Sequence, residues 1–291
     1  MATIGEWRAR VRQDLHSVSG VYAATDADAI LGEILQASPT QLTLRSADEV
    51  IAEDESRIRQ FILKRISGMP LAYVLGHVEF YGLDLLCDER VLIPRPETEA
   101  VVTVALKSLP VPTRGYQPIV IDIRTGSGNI ALAIAHERPD VHVVATDLSA
   151  NALEVAKANR ERHNLLDRVR LVRAKSLTAF PHGLNADLIV SNPPYVPDHD
   201  PEVQQSVHDF EPHVALYAGS DGTEILRDLI ESSRHALRPN GALVCEVGYN
   251  QAEQIREIVR KYPGWSAPIF HRSIAGFDRV LELRILNSGL S

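Results

Sequence analysis

The sequence lacks any apolar run of the roughly 18 residues that a membrane-spanning helix needs. Its first residues also lack the basic and apolar regions of a secretory signal, so we expect a cytoplasmic protein. Cysteine is scarce: Cys87 and Cys245 lie far apart and match no metal or redox motif, so we expect buried free thiols. The formal net charge of −8 argues against a broad nucleic-acid surface, because such affinity depends on clustered Lys and Arg.

Histidine is more plentiful, with 11 residues, and three of them follow a strand-like run: His199, His208 and His213. Their spacing fits neither one helix face nor a ligand pair of a metal site. We therefore predict no metal site and treat these residues as surface or hydrogen-bonded histidines.

Two domains are predicted from the change in periodicity along the 291 residues. From Gly5 to about Met69 the apolar residues recur at three- and four-residue spacing, which predicts helices. The segment from Pro70 to Leu83 has short apolar runs with turn residues, which we interpret as a hairpin that links the domains. We expect a small helical domain with this hairpin over residues 1–85 and a second domain over residues 86–291.

The second domain alternates strand-like and helical segments from Gln117 onward, which predicts an α/β fold with a parallel sheet and crossover helices. Near the carboxyl end, the runs 266–270 and 279–285 have no long helix between them. They predict a hairpin that adds one antiparallel strand to the sheet.

A glycine-containing loop, Asp122-Ile123-Arg124-Thr125-Gly126-Ser127-Gly128, follows the first strand of this domain. Glycines at such a turn let the backbone approach a ligand, and Asp147, at the end of the next strand, can accept hydrogen bonds from ribose hydroxyls. The structural alternative is a tight turn, with Asp147 only capping the following helix. The loop by itself does not distinguish an adenosyl sulfonium cofactor from NAD.

The apolar run 186–191 ends in Asn192-Pro193-Pro194-Tyr195, which predicts a catalytic loop. The Asn192 side-chain oxygen and the Pro193 carbonyl can accept the two N–H groups of a planar NH2 and help to free its lone pair. The prolines limit relaxation of the loop, and Tyr195 can stack on the planar group. A rigid turn without function is the alternative. The loop favours methyl transfer over NAD chemistry, which needs a hydride-transfer site.

The run from Asn192 to Tyr195 resembles the loop of amino-methyltransferases that act on glutamine, adenine or cytosine nitrogens. Further segments resemble the release factor glutamine methyltransferases (PrmC or HemK): 70–76, 79–82, 92–99, 210–212, 221–222, 246–249 and 275–280. The resemblance implies a Rossmann-like class I methyltransferase sheet and transfer of methyl from S-adenosyl-L-methionine to N5 of the Gly-Gly-Gln glutamine. It implies bacterial class I release factors as partners, a docking role for residues 1–85, and no direct contact with nucleic acid.

The resemblance also implies the site. The glutamine pocket would be formed by Asn192, Pro193, Pro194 and Tyr195. The cofactor site would comprise Asp122, Arg124, Thr125, Gly126, Ser127, Gly128, Asp147, Lys175, Ser176 and Asn192.

Two positions depart from the family pattern, since Arg124 stands where a small residue is usual and Lys175 where an acidic one is usual. A guanidinium in the cofactor pocket would fill space or face the cationic sulfonium, and Lys175 could not accept a hydrogen bond from the adenine amine. We therefore expect weakened or lost cofactor binding and activity. In the milder alternative, Arg124 turns to solvent or pairs with the cofactor carboxylate, and Lys175 extends away.

Two other functions remain open at this stage. A nucleic-acid amino-methyltransferase is one, because adenine presents the same planar NH2. A protein that binds release factors without methylating them is the other. Arg95 and Glu97 could either form a structural ion pair or border the substrate entrance.

Overall fold

The computed structural model describes residues 2–177, 180, 184–198, 200, 204–273 and 275–286. The chain divides into a helical unit, residues 1–77 with 204–210, and a second unit, residues 78–203 with 211–291. The α-helices are α1 (Ile4–Ser19), α2 (Ala23–Leu35), α3 (Pro39–Leu44), α4 (Ala52–Ile66), α5 (Leu71–Leu75), α6 (Glu99–Ser108), α7 (Asn129–Glu137), α8 (Ala150–Arg162), α9 (Gln205–Phe210), α10 (Glu224–Ala236) and α11 (Ala252–Arg260).

The β-strands are β1 (His77–Phe80), β2 (Leu83–Leu86), β3 (Ile119–Ile123), β4 (His142–Asp147), β5 (Val169–Arg173), β6 (Ala186–Ser191), β7 (Leu237–Glu246), β8 (Ile269–Arg272) and β9 (Asp278–Arg284). The first two form a hairpin, and the other seven form one sheet in the order β5-β4-β3-β6-β7-β9-β8. Strands β3 to β7 pair in parallel, whereas β9 runs antiparallel to both β7 and β8. The predicted parallel sheet with a terminal antiparallel strand is confirmed.

The helical unit is built around α1, α2 and α4, and the predicted helices are confirmed. A capping box begins α1: the Thr3 hydroxyl accepts from the Glu6 backbone N–H, and the Glu6 carboxylate accepts from the Thr3 N–H. The apolar stripes of these helices meet in one core that includes Trp7, Leu15 and Ile30. Helical periodicity thus positions the buried residues, and packing of these faces stabilises helices that would be marginal alone.

The second unit buries both faces of its sheet, as parallel sheets require. Leu188 and Val190 of β6 pack on the face covered by α6 and α7, whereas the intervening Ile189 packs on the face covered by α10 and α11. This alternation follows from the two-residue period of a strand. The carboxyl ends of β3, β4 and β6 consequently share one edge, where a parallel sheet places its ligand sites.

The boundary between the compact units lies between residues 77 and 78, before the position expected from the sequence. The hairpin of β1 and β2 joins the second unit because Phe80, Leu83 and Leu85 are buried in that unit's core. One correction concerns the residues before the hairpin: Leu71–Leu75 forms a short helix that ends at left-handed Gly76, rather than an extended run. Cys87 and Cys245 are buried free thiols, as predicted.

Candidate active site

The loop after β3 is held by main-chain hydrogen bonds, one to the neighbouring strand β4 and one within the loop. The Thr125 N–H donates to the Thr146 carbonyl at 2.8 Å, and the Gly128 N–H donates to the Thr125 carbonyl at 2.8 Å. Gly128 has φ +86°, and a Cβ there would lie 3.1 Å from the Leu132 side chain and 3.4 Å from that of Ala156. Only glycine therefore allows this turn to pack closely against α7 and α8.

Asp147 ends β4 beside this loop. Its Oδ2 accepts from the Gly126 N–H at 2.9 Å, and its Oδ1 accepts from the Ser149 N–H at 2.9 Å. An ionised carboxylate offers about four acceptor positions, so two neutral N–H donors leave capacity for ligand hydroxyls. The carboxylate is thus fixed in direction and still able to bind.

Asp122 lies beneath the loop and is fully buried. Its Oδ2 accepts from the Thr125 hydroxyl at 2.6 Å and from the Ala131 N–H at 3.2 Å, while Oδ1 has no partner among the described residues. Burial raises the pKa of Asp122 to about 7. Asp122 braces the loop from below and does not line the cleft described next.

A cleft at this edge of the sheet brings the two predicted loops together. It encloses about 640 Å³ of empty space, a volume that includes its open mouth. The predicted residues that line it are Arg124, Thr125, Gly126, Ser127, Asp147, Asn192 and Pro194. The other predicted residues, which do not line it, are Asp122, Gly128, Lys175, Ser176, Pro193 and Tyr195.

Several lining residues were not identified from the sequence. They are Arg90, Val91, Leu92, Ile93, Pro94, Asn129, Ser149, Ala152, Pro212, Val214 and Ala215. Part of this wall belongs to the segment 92–99, which had been singled out only for its resemblance to a family. The sequence signal that could have identified this wall of the cleft is an apolar segment that lies outside the alternating strands and helices.

Arg124 lines the cleft in a left-handed backbone conformation, with φ +62°. This region favours glycine, because an L side chain there crowds the following carbonyl. The side chain is partly buried, and burial lowers the pKa of its guanidinium, while the nearby Asp147 and Asp228 carboxylates oppose that change. Arg124 is thus a cationic group in the cleft wall with two carboxylates close enough to affect its charge.

Lys175, the other departure from the family pattern, is exposed and outside the cleft lining. Partial burial raises the pKa of Asp228, and the positive charges of Lys175 and Arg124 partly offset that increase. Both departures therefore share one acidic neighbour on α10.

The loop after β6 is anchored at each end. The Ser191 hydroxyl donates to the Ile123 carbonyl at 2.6 Å, which joins β6 to β3. The Asn192 side-chain NH2 donates to the Thr98 hydroxyl oxygen at 3.1 Å, and the Tyr195 hydroxyl donates to Glu246 Oε1 at 3.0 Å. Burial, together with the Glu246 carboxylate, raises the pKa of Tyr195.

Thr98 and Glu246 complete this arrangement, and neither was predicted from the sequence as a site residue. Both are buried, and the Thr98 hydroxyl donates to Glu246 Oε2 at 2.6 Å. Glu246 ends β7 after the apolar run 242–245. A lone acidic residue at the end of a buried strand is the sequence signal that could have identified it as a site residue. Thr98 precedes α6 within the segment 92–99.

Arg95 forms a structural ion pair, although its partner is not Glu97. Its guanidinium pairs with Glu211, a carboxylate that is 1% exposed and also accepts from the Ile93 N–H at 3.1 Å. Glu97 is exposed and is not the partner of Arg95. The pair fixes the segment that forms one wall of the cleft.

Among the described residues, no cluster of three or more His, Cys, Asp or Glu side chains could hold a metal ion; His199 lies outside them. In the same part of the chain, no helix is both long and apolar enough to cross a membrane.

Known proteins resemble both units of the chain. Residues 6–76 match the PrmC N-terminal domain, and residues 103–210 match the methyltransferase small domain. A release factor glutamine methyltransferase of Bradyrhizobium diazoefficiens is 40% identical over 81% of this chain and 80% of its own length. One from Coxiella burnetii is 35% identical over 98% of this chain and 99% of its own.

Among solved structures, a methyltransferase from Pyrococcus furiosus has the same fold, with a TM-score of 0.50 and 20% identity over 80% of this chain and 98% of its own. These two curated relatives are 35% and 40% identical to this chain and cover 98% and 81% of it, respectively. The chain therefore belongs to the release factor glutamine methyltransferase family.

Proposed function

We propose that this chain transfers the methyl group of S-adenosyl-L-methionine to the side-chain nitrogen of the glutamine in the Gly-Gly-Gln motif of bacterial class I release factors. One observation carries the proposal: Asn192 and Pro194 line the same cleft as Gly126 and Asp147. A methyl donor held by the loop after β3 and an amide held by the loop after β6 would share one space. Such proximity is the main requirement for group transfer.

S-adenosyl-L-methionine is the cofactor that family membership supports. The cleft residues fit it at two places. Asp147 has remaining capacity for the ribose hydroxyls, and the buried Ser127 hydroxyl in the cleft wall has no partner among the described residues, so a ligand group would satisfy it. When bound, the cofactor supplies an electrophilic methyl group on a sulfonium.

The acceptor side is assigned to Asn192. A glutamine amide nitrogen is a poor nucleophile, because its lone pair is delocalised into the carbonyl. An oxygen acceptor on one N–H orients that nitrogen and stabilises the positive charge that develops there as the bond forms. Asn192 is the polar side chain of its loop that lines the cleft, which supports this role.

Weakened cofactor binding is part of the proposal. Arg124 occupies the cleft wall where the family usually has a small residue, and its left-handed φ of +62° holds it at a glycine-like position. The guanidinium adds a second positive charge beside the site for a sulfonium, although Asp147 and Asp228 moderate its effect. Lys175 is outside the cleft lining, so we assign to it a smaller share of the loss in cofactor affinity.

Docking of the release factor is assigned to the helical unit. This unit exposes large apolar side chains, among them Val21 at 90% and Tyr22 at 69%, which are neighbours in the chain. Adjacent exposed apolar side chains are a common feature of protein contact surfaces. The match of residues 6–76 to a domain specific to this family supports the assignment.

The test is methylation of a purified class I release factor, followed by mass spectrometry of the peptide that carries Gly-Gly-Gln. We expect one added methyl group on the glutamine at high cofactor concentration. A factor with that glutamine replaced by alanine is the control and should stay unmodified. Binding of the factor without methylation at any cofactor concentration would overturn catalysis and leave a binding protein.

A further inference from the structure

Glu246 links the two ends of the catalytic loop to the start of α6. This carboxylate is 2% exposed and receives the Thr98 hydroxyl at Oε2 and the Tyr195 hydroxyl at Oε1, at 2.6 and 3.0 Å. Arg279 also favours its ionised form, whereas burial and Glu97 disfavour it, and the net effect is a raised pKa. A proton on Oε1 would still leave Oε2 free to accept from Thr98.

The position of hydrogens follows from counting donors. Glu246 Oε2 accepts the single proton of the Thr98 hydroxyl at 2.6 Å. Only lone pairs of Thr98 Oγ1 then remain to face Asn192. The Asn192 group that meets Thr98 at 3.1 Å must be its NH2, because its oxygen there would face another oxygen without a proton between them.

We infer that Thr98 and Glu246 are positioning residues that fix the orientation of the Asn192 amide, so that Oδ1 is the atom offered to the target nitrogen. This inference rests on the proposed methyl transfer to an amide. Within the described residues, Asn192 Oδ1 has no hydrogen-bond partner, whereas Nδ2 has one in Thr98. The reverse orientation would present two donors to the target NH2 and bind it poorly.

A merely structural role for Thr98 would be to tie α6 to β6 and β7. Such a role predicts loss of stability in proportion to the buried contacts removed, without a specific effect on turnover. An orienting role predicts instead that kcat falls while the cofactor KM is unchanged, because Asp147 and the loop after β3 are untouched. It also predicts that any hydroxyl at position 98 suffices.

The experiment compares Thr98→Val, Thr98→Ser and Glu246→Met with the wild type, and uses Thr103→Val, further along α6, as a matched control. Each variant is first checked by thermal unfolding. We expect Thr98→Val and Glu246→Met to lower kcat about tenfold, the effect of one lost hydrogen bond near 1.4 kcal/mol. Thr98→Ser should recover most of the turnover, and Thr103→Val should match the wild type.

The double variant Thr98→Val/Glu246→Met separates one chain of hydrogen bonds from two independent contributions. If both residues act through the same chain of hydrogen bonds, the double substitution lowers kcat no more than either single substitution. If they contribute independently, the two fold-losses in kcat multiply. A multiplied loss, unchanged turnover in Thr98→Val, or an equal loss in Thr98→Ser would overturn the inference. Should Glu246→Met fail to fold, the two substitutions at Thr98 still decide it.

Neutron diffraction of the deuterated wild type provides a measurement without turnover. We expect two deuterons on the Asn192 atom that faces Thr98, and the Thr98 deuteron directed at Glu246. An oxygen of Asn192 facing Thr98 would overturn the inference. A wild type that methylates no release factor would instead refute the proposed function, and the diffraction result would still decide the orientation.

Discussion

Replacing Arg124 by glycine should raise affinity for S-adenosyl-L-methionine. The side chain lines the cleft, is partly buried, and has no hydrogen bond among the described residues. A clashing or unpaired polar contact costs about 1–3 kcal/mol, which corresponds to roughly 5- to 150-fold in Kd. The stability of the free protein should change little. Relief of left-handed strain, about 1–2 kcal/mol, is offset by the greater backbone entropy of glycine in the unfolded chain, about 0.5–1 kcal/mol.

Isothermal titration calorimetry with the cofactor measures this change directly. Arg124→Asn is the matched control, because asparagine tolerates the left-handed region yet removes the length and charge of arginine. It should recover most of the gain if the guanidinium is responsible. Thermal shifts should agree, since a ligand stabilises the native state in proportion to RT ln(1 + [L]/Kd).

Lys175→Asp distinguishes the two departures. Its side chain lies outside the cleft lining and near Asp228, so a carboxylate there should add little affinity and should repel Asp228. We expect most of the gain of an Arg124→Gly/Lys175→Asp variant to come from Arg124. Low-micromolar binding by the wild type, with less than about a threefold change in Arg124→Gly, would refute the reasoning about this side chain.

Three further predictions concern the catalytic loop, the buried acid and the helical unit. Asn192→Ala should lower kcat by about 10²-fold or more while cofactor Kd and unfolding temperature stay nearly constant; unchanged turnover would exclude its role. Because the pKa of Asp122 is raised to about 7, the folding stability that it contributes is full below pH 4 and is lost as pH rises through 7. Urea unfolding between pH 5 and 8.5 should show the part of this loss that falls above pH 5, at most about 3 kcal/mol, in the wild type and not in Asp122→Asn. Val21→Ser/Tyr22→Ser should weaken binding of an intact release factor and leave a short Gly-Gly-Gln peptide unaffected, as calorimetry can establish; equal affinities for the intact factor would contradict docking by this surface.

Much of the fold was predictable because periodicity reports burial directly. The alternation of strands and helices from Gln117 gave the parallel sheet, and the two loops at its carboxyl edge gave the position of the cleft. The sequence shows that Phe80, Leu83 and Leu85 are apolar but not which core they enter, and in the structure they pack in the core of the second unit.

Long-range polar contacts limited the prediction of the site. Asn192 was identified from its own loop, but Thr98 contacts it from 94 positions away and Glu246 contacts Thr98 from 148 positions away. Neither separation leaves a local signature. Lys175 was assigned to the cofactor site from its position in the family pattern alone, and its side chain is exposed outside the cleft lining.

The helical unit is completed by α9, which lies between β6 and α10 in the chain. During synthesis from the amino end, residues 1–77 emerge long before this last piece, so the unit cannot reach its final form until most of the chain has left the ribosome. Contacts between such distant segments form slowly, because closing a long loop costs entropy before the contact stabilises it. Phe210 lies against Gly68, so we expect this contact to report a late step of folding in pulse-labelling hydrogen exchange.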